Sequence, residues 1–446
     1  MAPVVVALVK IWGLKVGAVS WTRDQPCAEF EFESSFLQQG LDLSPIHMGL
    51  EDAKRFPRFS FPGIDKITFK GLPGMLANSL PDNFGNKIID SWLTRQGRDP
   101  KSFGVIERLC YIGTRGMGAL EYEPEVTSKV LRKPVDIDIK NLMKLAQEVM
   151  SERSKLDVHL KEEASDKEKS EALLDILRVG TSAGGAVPKA IIAINNDGHI
   201  ISGQSDVPEG YDHWILKFDG ISETTPEEFG RSFEMGRVEY AYYLMARNAG
   251  LEMMECRLLE ENGRAHFLTK RYDRIRNDKV HVLSLAGIGH YGWNPVGTAG
   301  YEDAFYVMRE LGLPYPEQEQ QFRRMVFNAL TRNVDDHTKN ISYMMDKEGT
   351  WSLSPAYDVT LSYDSVEMLG DRHKIKINGK QSDFTDQDFI EVANNMCINK
   401  PDQIIEEITE NIRNWPSFAR EAGVASEVEE YISELIQHHR QGQSPA

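Results

Sequence analysis

At 446 residues the chain exceeds what one ordinary core accommodates, so two or three domains are expected, each large enough to bury an interior. Apolar residues at 41% and charged residues at 27% describe a soluble globular chain, and the longest apolar stretches, such as PVVVALV, are too short to span a bilayer. The formal net charge of −17 argues against direct binding to nucleic acid, because phosphate contacts need clustered Lys and Arg; DNA is then reached only through a basic partner.

The opening Met-Ala-Pro-Val lacks the basic segment, apolar stretch and small-residue cleavage site of a secretory signal, and a cytoplasmic location is expected. In residues 1–135, the alternating segments VVVALVKIW, AEFEFE and DKITFKG predict an antiparallel sheet, and LANSLPDNFGNKIIDSWLTRQG predicts a turn feeding an amphipathic helix. Residues 136–176 read as a helical connector whose mixed charges suit a solvated face. Across residues 177–275 a glycine-rich turn precedes the apolar strand of AIIAI. A strand HWILKFD, a long helix in EFGRSFEMGRVEYAYYLMARNAG and a strand pair turning at Asn262-Gly263 follow. Residues 276–446 are mostly helical. Cys27, Cys110, Cys256 and Cys397 form no CxxC pair, which argues against a zinc knuckle or a disulfide framework.

The densest polar cluster is TRNVDDHTKN, residues 331–340, between the helical run FRRMVFNAL and the short strand ISYMM. Asp335 and Asn340 have the D-x-x-x-x-N spacing of a kinase catalytic loop, in which the aspartate orients and deprotonates the acceptor hydroxyl and the asparagine holds Mg2+. Acids at this spacing also occur by chance, so a solvated turn competes with the reading. A hairpin of ISYMM and TWSLS over DKEG then returns the chain to SPAYDV, where Asp358 supplies a second hard oxygen ligand from a separate segment.

Upstream, GTSAGGAVPK has Ala186 where a P-loop requires lysine, which disfavours a P-loop NTPase. Ser182 to Ala186 are small residues whose amides can approach phosphate oxygens, although an ordinary glycine hairpin fits them too. Lys217 ends an apolar strand, as a lysine reaching the α- and β-phosphates does, and Glu239 on the next helix is its candidate ion-pair partner. For Glu239 a plain surface charge is an equally good reading. His337 is expected to pack beneath the loop and orient it, and Lys339 to approach the γ-phosphate. A metal hydrolase built on Asp335, Asp336 and His337 is disfavoured, because three adjacent residues rarely converge on one ion.

Taken in order, GTSAGGAVPKA, HWILKFD, RVEYAYYLMA, FLTKRYDR, RNVDDHTKN and SPAYDV, with the N-terminal GLPGMLANSLPDNFGNKIIDSWL and RLCYIGTRGMGALEY, resemble the HipA family of bacterial toxin kinases. The resemblance covers nearly the whole chain. It implies an α+β, two-lobed protein-kinase-like (phosphoinositide-kinase-like) fold with a small N-terminal α/β domain and a mostly helical C-terminal lobe. Carried over by position, Asp335 is the catalytic base, Asn340 and Asp358 are the magnesium ligands, and Lys217 is the ATP lysine. The backbone of Gly184, Gly185 and Ala186 through Lys189 covers the phosphates, and Lys270, Arg271 and Tyr272 form the adenine-binding hinge.

Ser182 falls where family members carry a serine that they phosphorylate in themselves, with Thr181 adjacent. A phosphate of charge about −1.5 to −2 at that point would repel the nucleotide's own phosphates. The implied function is an ATP- and Mg2+-dependent serine/threonine kinase acting as the toxin of a toxin-antitoxin system. A HipB-like helix-turn-helix antitoxin would neutralise it, and an aminoacyl-tRNA synthetase is a candidate substrate. The alternative from another class is a kinase-shaped co-repressor acting on operator DNA through the antitoxin. The intact set Lys217, Asp335, Asn340 and Asp358 argues against it.

Overall fold

A computed structural model describes residues 5–22, 24–124, 135–150, 188–220, 234–261, 263–292, 297–361 and 372–441. Strands β1 (Val6–Ile11), β2 (Leu14–Ser20), β3 (Glu29–Phe32), β4 (Arg58–Ser60) and β5 (Leu120–Glu123) form an antiparallel sheet in the order β4-β3-β2-β1-β5. Alternate residues Ala7, Val9 and Ile11 of β1 and Phe30 and Phe32 of β3 are buried, as side chains that alternate across a strand require.

DKITFKG, expected as a strand, is instead a helical turn. Asp65 accepts hydrogen bonds from the Ile67 and Thr68 amides and caps the helix Lys66–Phe69. That cap satisfies amides the turn would otherwise expose, and it outweighs the β preference of Ile67 and Thr68. The expected amphipathic helix is present as Asn83–Arg95, with Asp82 as its N-cap accepting from the Gly85 amide at 2.6 Å.

The second sheet contains β6 (Lys189–Asn195), β7 (Ile200–Ser202), β8 (Tyr211–Lys217), β9 (Cys256–Glu261) and β10 (Arg264–Lys270), in the antiparallel order β7-β6-β8-β10-β9. One face, made by Ala190, Ile192, Trp214, Leu216 and Leu268, packs on Ile139, Leu142 and Ala146 of the helix Ile139–Met150 and on Phe84, Ile88 and Ile89 of the N-terminal unit. The described part of the connector is therefore a packed helix, sharing one apolar cluster with the first unit and this sheet. Residues 151–176 of the connector and the glycine-rich loop with Ser182, Gly184, Gly185 and Ala186 lie outside the described residues.

A short hairpin, β11 (Arg274–Ile275) and β12 (Asp278–Lys279), leads into β13 (His281–Ser284), which pairs with β14 (Ser342–Met345) and through it with β15 (Trp351–Leu353). The helices Tyr301–Glu310, Tyr315–Leu330, Asp386–Met396, Pro401–Ile412, Trp415–Glu421 and Ser426–Gln441 make up the rest of the C-terminal lobe. The fold is a two-lobed, kinase-like α+β architecture.

The N-terminal unit shares its core with the C-terminal lobe, since Val9 and Phe30 belong to the same apolar cluster as Leu283, Phe327 and Tyr343. Polar contacts reinforce this docking: Asn78 accepts from the Ser284 amide at 3.0 Å and donates to the Val282 carbonyl at 3.2 Å. Among the described residues no helix is long and apolar enough to cross a membrane.

Candidate functional site

The period-two geometry of β8 fixes where its lysine goes. Trp214 and Leu216 face the core, so Lys217, one residue on, emerges on the opposite face. Antiparallel register sets Lys189 of β6 and Phe267 of β10 directly beside Lys217. The Lys217 ammonium lies 5.7 Å from the centre of the Phe267 ring, an added attraction for a cation.

Across this face runs the helix Met235–Asn248, whose Glu239 contacts the Lys217 amine at 2.5 Å. The same amine is ion-paired with Asp358, which follows β15. Lys217 thus bridges Glu239 of its own lobe and Asp358 of the C-terminal lobe. Burial works against its charge, but Asp358 and Glu239 hold its pKa above the ordinary lysine value. Burial likewise raises the Glu239 carboxyl, against the pull of Lys217. For Asp358, burial is outweighed by Lys217 and Lys189, which keep its carboxyl well below the usual carboxylate range.

Gly236 makes the Glu239 contact sterically accessible. A Cβ at that position would stand 1.9 Å from the Ala265 carbonyl oxygen of β10, so only glycine lets the first helical turn lie this close to the strand. Gly236→Ala is expected to push the helix off the sheet and destabilise the protein by about 1–3 kcal/mol, measured by urea unfolding. Unchanged stability would show that the helix does not depend on this approach.

Residues 331–340 are held from several sides. The Tyr242 hydroxyl, on the same helix as Glu239, donates to the Thr331 carbonyl at 2.9 Å. Asn333 donates through its amide to Asn328 Oδ1 at 3.1 Å and to the Asp358 carbonyl at 3.4 Å, linking the loop to the segment after β15. Within the loop the His337 amide donates to the Asp335 carbonyl at 2.9 Å, and Asn340 Nδ2 donates to that same oxygen at 3.0 Å. The Asn340 amide oxygen is then the atom left to face a cation. Asp358 adopts φ +55, a left-handed conformation that Asp tolerates better than bulkier residues.

The two adjacent acids have different environments. Asp336 is 2% exposed and accepts from Tyr301 Oη at 3.0 Å, His373 Nδ1 at 2.8 Å and the Lys374 amide at 3.0 Å. The Asp335 side chain is 33% exposed and is ion-paired with the Lys374 amine. The exposed carboxylate is the one able to meet a substrate, and the buried one anchors the loop.

Asn340 and Asp358 border one cleft together with Asp336 and Tyr357. Their oxygens suit a hard divalent cation of the magnesium class rather than zinc. Among the described residues no three His, Cys, Asp or Glu side chains form a metal cage, so such a cation would take its further oxygens from phosphates and water.

Other residues singled out from the sequence sit as follows. His337 is half-buried, and burial lowers its pKa while the charges of Asp335 and Asp358 oppose that shift. Lys339 is exposed on the loop, and its charge acts on Asp82 at the N-cap of the helix Asn83–Arg95. Tyr272 stacks on Tyr357 with ring centres 5.4 Å apart. The Tyr357 hydroxyl donates to the Lys339 carbonyl at 2.6 Å.

Two residues of the expected hinge have ion-paired side chains. Lys270 pairs with Asp212 at 2.7 Å. Arg271 is 1% exposed and bound to Asp273, while its backbone amide donates to the His213 carbonyl at 2.9 Å. A guanidinium with a buried carboxylate beside it is held there rather than at a nucleotide. The sequence reading missed Lys374 and the side-chain role of Lys189, which it treated only as loop backbone. The antiparallel register that pairs Lys189 with Lys217 brings its side chain to the same face, where it is buried.

The chain matches the family described as HipA N-terminal domain over residues 7–123 and that described as HipA-like C-terminal domain over residues 181–437. Among solved structures it is similar to a chain of the Shewanella oneidensis MR-1 complex of HipA, HipB and operator DNA. That likeness has a TM-score of 0.65 at 15% identity, over 98% of this chain and 97% of that one. Two Sinorhizobium fredii proteins are similar in sequence. One, named "Putative kinase Y4dM", is 30% identical over 29% of this chain and 34% of its own length. The other, Y4mE, carries the same description and is 24% identical over 40% of this chain and 39% of its own length. The aligned part thus spans well under half the length of either relative. With one family match covering more than half of the chain and a second covering the N-terminal unit, the protein belongs to the HipA family.

Proposed function

We propose that this chain is an ATP- and Mg2+-dependent serine/threonine protein kinase that acts in the cytoplasm as the toxin of a toxin-antitoxin pair. The observation that carries the reading is the ion-paired set Lys217, Glu239 and Asp358, drawn from three separate elements and facing a loop that exposes one carboxylate, Asp335. A structural scaffold has no use for a lysine held between two acids, Glu239 buried and Asp358 partly exposed, beside a cleft.

In this reading Glu239 directs the Lys217 ammonium, which binds the α- and β-phosphates as ATP enters and Asp358 is released from it. Asn340 and Asp358 would hold the cation by their oxygens, and Mg2+ bound there would supply neutralisation of the negative charge of the phosphates. Asp335 accepts the proton of the substrate hydroxyl while the hydroxyl oxygen attacks the γ-phosphorus in line. The hydroxyl of Ser182 is the proposed site of self-phosphorylation. A HipB-like helix-turn-helix protein is the proposed antitoxin, consistent with the HipB and operator DNA present in the Shewanella complex. A net charge of −17 favours DNA contact through that partner. An aminoacyl-tRNA synthetase is the proposed class of external substrate.

The test is incubation of the purified chain with γ-labelled ATP and Mg2+, followed by peptide mapping. Label is expected at Ser182. A chain that binds no nucleotide and takes up no label would support the co-repressor reading instead.

A further inference from the structure

The geometry points to Lys374 as the positioning residue of the catalytic carboxylate, an inference that rests on the kinase reading above. Its amine is ion-paired with Asp335, 39 residues away along the chain, with the two side chains 15% and 33% exposed. No lysine of the 331–340 loop takes this place, for Lys339 is exposed beside Asp82.

The backbone of Lys374 is itself held. Its amide donates to Asp336 Oδ1 at 3.0 Å and to the Val334 carbonyl at 3.3 Å, and its carbonyl accepts from the Gly297 amide at 2.9 Å. Next to it, the His373 amide donates to the Gln381 carbonyl at 2.7 Å, and the Lys376 amide donates to the Ala299 carbonyl at 2.9 Å. One residue therefore clamps both acids of the loop, Asp336 by its backbone and Asp335 by its side chain.

The chemical consequence concerns direction. A partly exposed aspartate on a loop rotates about two side-chain bonds, and a base must offer one lone pair to one proton. The ammonium pins one carboxylate oxygen and leaves the other for the substrate hydroxyl. In the transfer step the hydroxyl oxygen forms its bond to the γ-phosphorus, and the bond from that phosphorus to the β,γ-bridging oxygen breaks. The departing electron pair stays on ADP, and the hydroxyl proton passes to the free oxygen of Asp335.

Lys374→Met removes the ammonium and keeps most of the length of the side chain. Single-turnover labelling of the chain by γ-labelled ATP gives a rate constant at saturation and a half-saturating ATP concentration. The rate constant is expected to fall about 10–100-fold, as for other small misplacements of a reacting group. The half-saturating concentration stays unchanged, the pattern of an interaction made in the transition state. Lys374→Arg restores most of the rate, which separates charge from packing. In an Asp335→Asn background Lys374→Met has no further effect.

An unchanged rate in Lys374→Met overturns the inference while leaving the kinase reading intact. A raised half-saturating concentration, or a further loss in the Asp335→Asn background, also overturns it, since Lys374 would then act on the nucleotide directly. Should the Met variant not fold, as judged by circular dichroism, Lys374→Gln replaces it with the same expected and overturning outcomes. A wild-type chain that binds ATP and takes up no label overturns the kinase reading and this inference together.

Discussion

Asp335→Asn is expected to lower phosphate transfer about 10²–10⁴-fold, the usual contribution of a positioned general base. Carboxylate and amide have nearly the same shape, so the loop keeps its backbone bonds, among them those from the His337 amide and Asn340 Nδ2 to the carbonyl of residue 335. The amide oxygen is a far weaker base than the carboxylate and cannot take the hydroxyl proton. In the proposed reading nucleotide binding rests on Lys217, Glu239 and Asp358, none of which contacts the Asp335 side chain by a hydrogen bond. ATP affinity is therefore retained while transfer is lost. Transfer at the wild-type rate in this variant would remove Asp335 from the mechanism and direct attention to another acceptor of the proton.

The second large effect is on stability. Asp273→Ala is expected to destabilise the fold by about 3–5 kcal/mol, the scale of a buried ion pair broken by loss of one partner. Asp273 is fully buried and accepts from Arg271 at 2.8 and 2.7 Å, from Arg274 at 2.7 Å and from the Gly118 amide at 2.8 Å. Burial alone would raise its carboxyl, but the two guanidiniums hold it well below the usual range. Without it, two cations remain in a dry site with, besides the backbone carbonyl of residue 273, the Gly116 and Gly118 carbonyls to bind them.

The same carbonyls belong to the N-terminal unit, so Asp273→Ala should loosen the junction of that unit with the segment joining the lobes. Chemical denaturation measures the loss directly. A change below about 1 kcal/mol, the ordinary size of a surface ion pair, would show that water reaches the cluster and that it does not hold the units together.

Part of this architecture is readable from local pattern. The alternation that buries Trp214 and Leu216 already sends Lys217 to the other face, and the spacing of Asp335 and Asn340 is set by one short loop. The misread DKITFKG shows how a local signal can be overlooked, since Asp65 three residues before Thr68 is a helix cap whatever the alternation of the residues after it. Arg271 shows what local pattern does not carry. The family resemblance implied a place in the adenine-binding hinge, and its side chain's partners include Gly116, 155 residues earlier.

Sequence alone pointed to strands β1, β3, β6, β8, β9, β10, β14 and β15, to the helices Asn83–Arg95 and Met235–Asn248, to the order of the motifs and to the candidate residues Lys217, Glu239, Asp335, Asn340 and Asp358, because periodicity and spacing act over a few residues. Tertiary structure decided which of Asp335 and Asp336 stays open to substrate, and it brought Lys374 to the first and Tyr301 and His373 to the second. Burial and ion pairing are properties of surfaces brought together by the whole fold, and residues 35 to 39 positions apart carry no local mark of meeting.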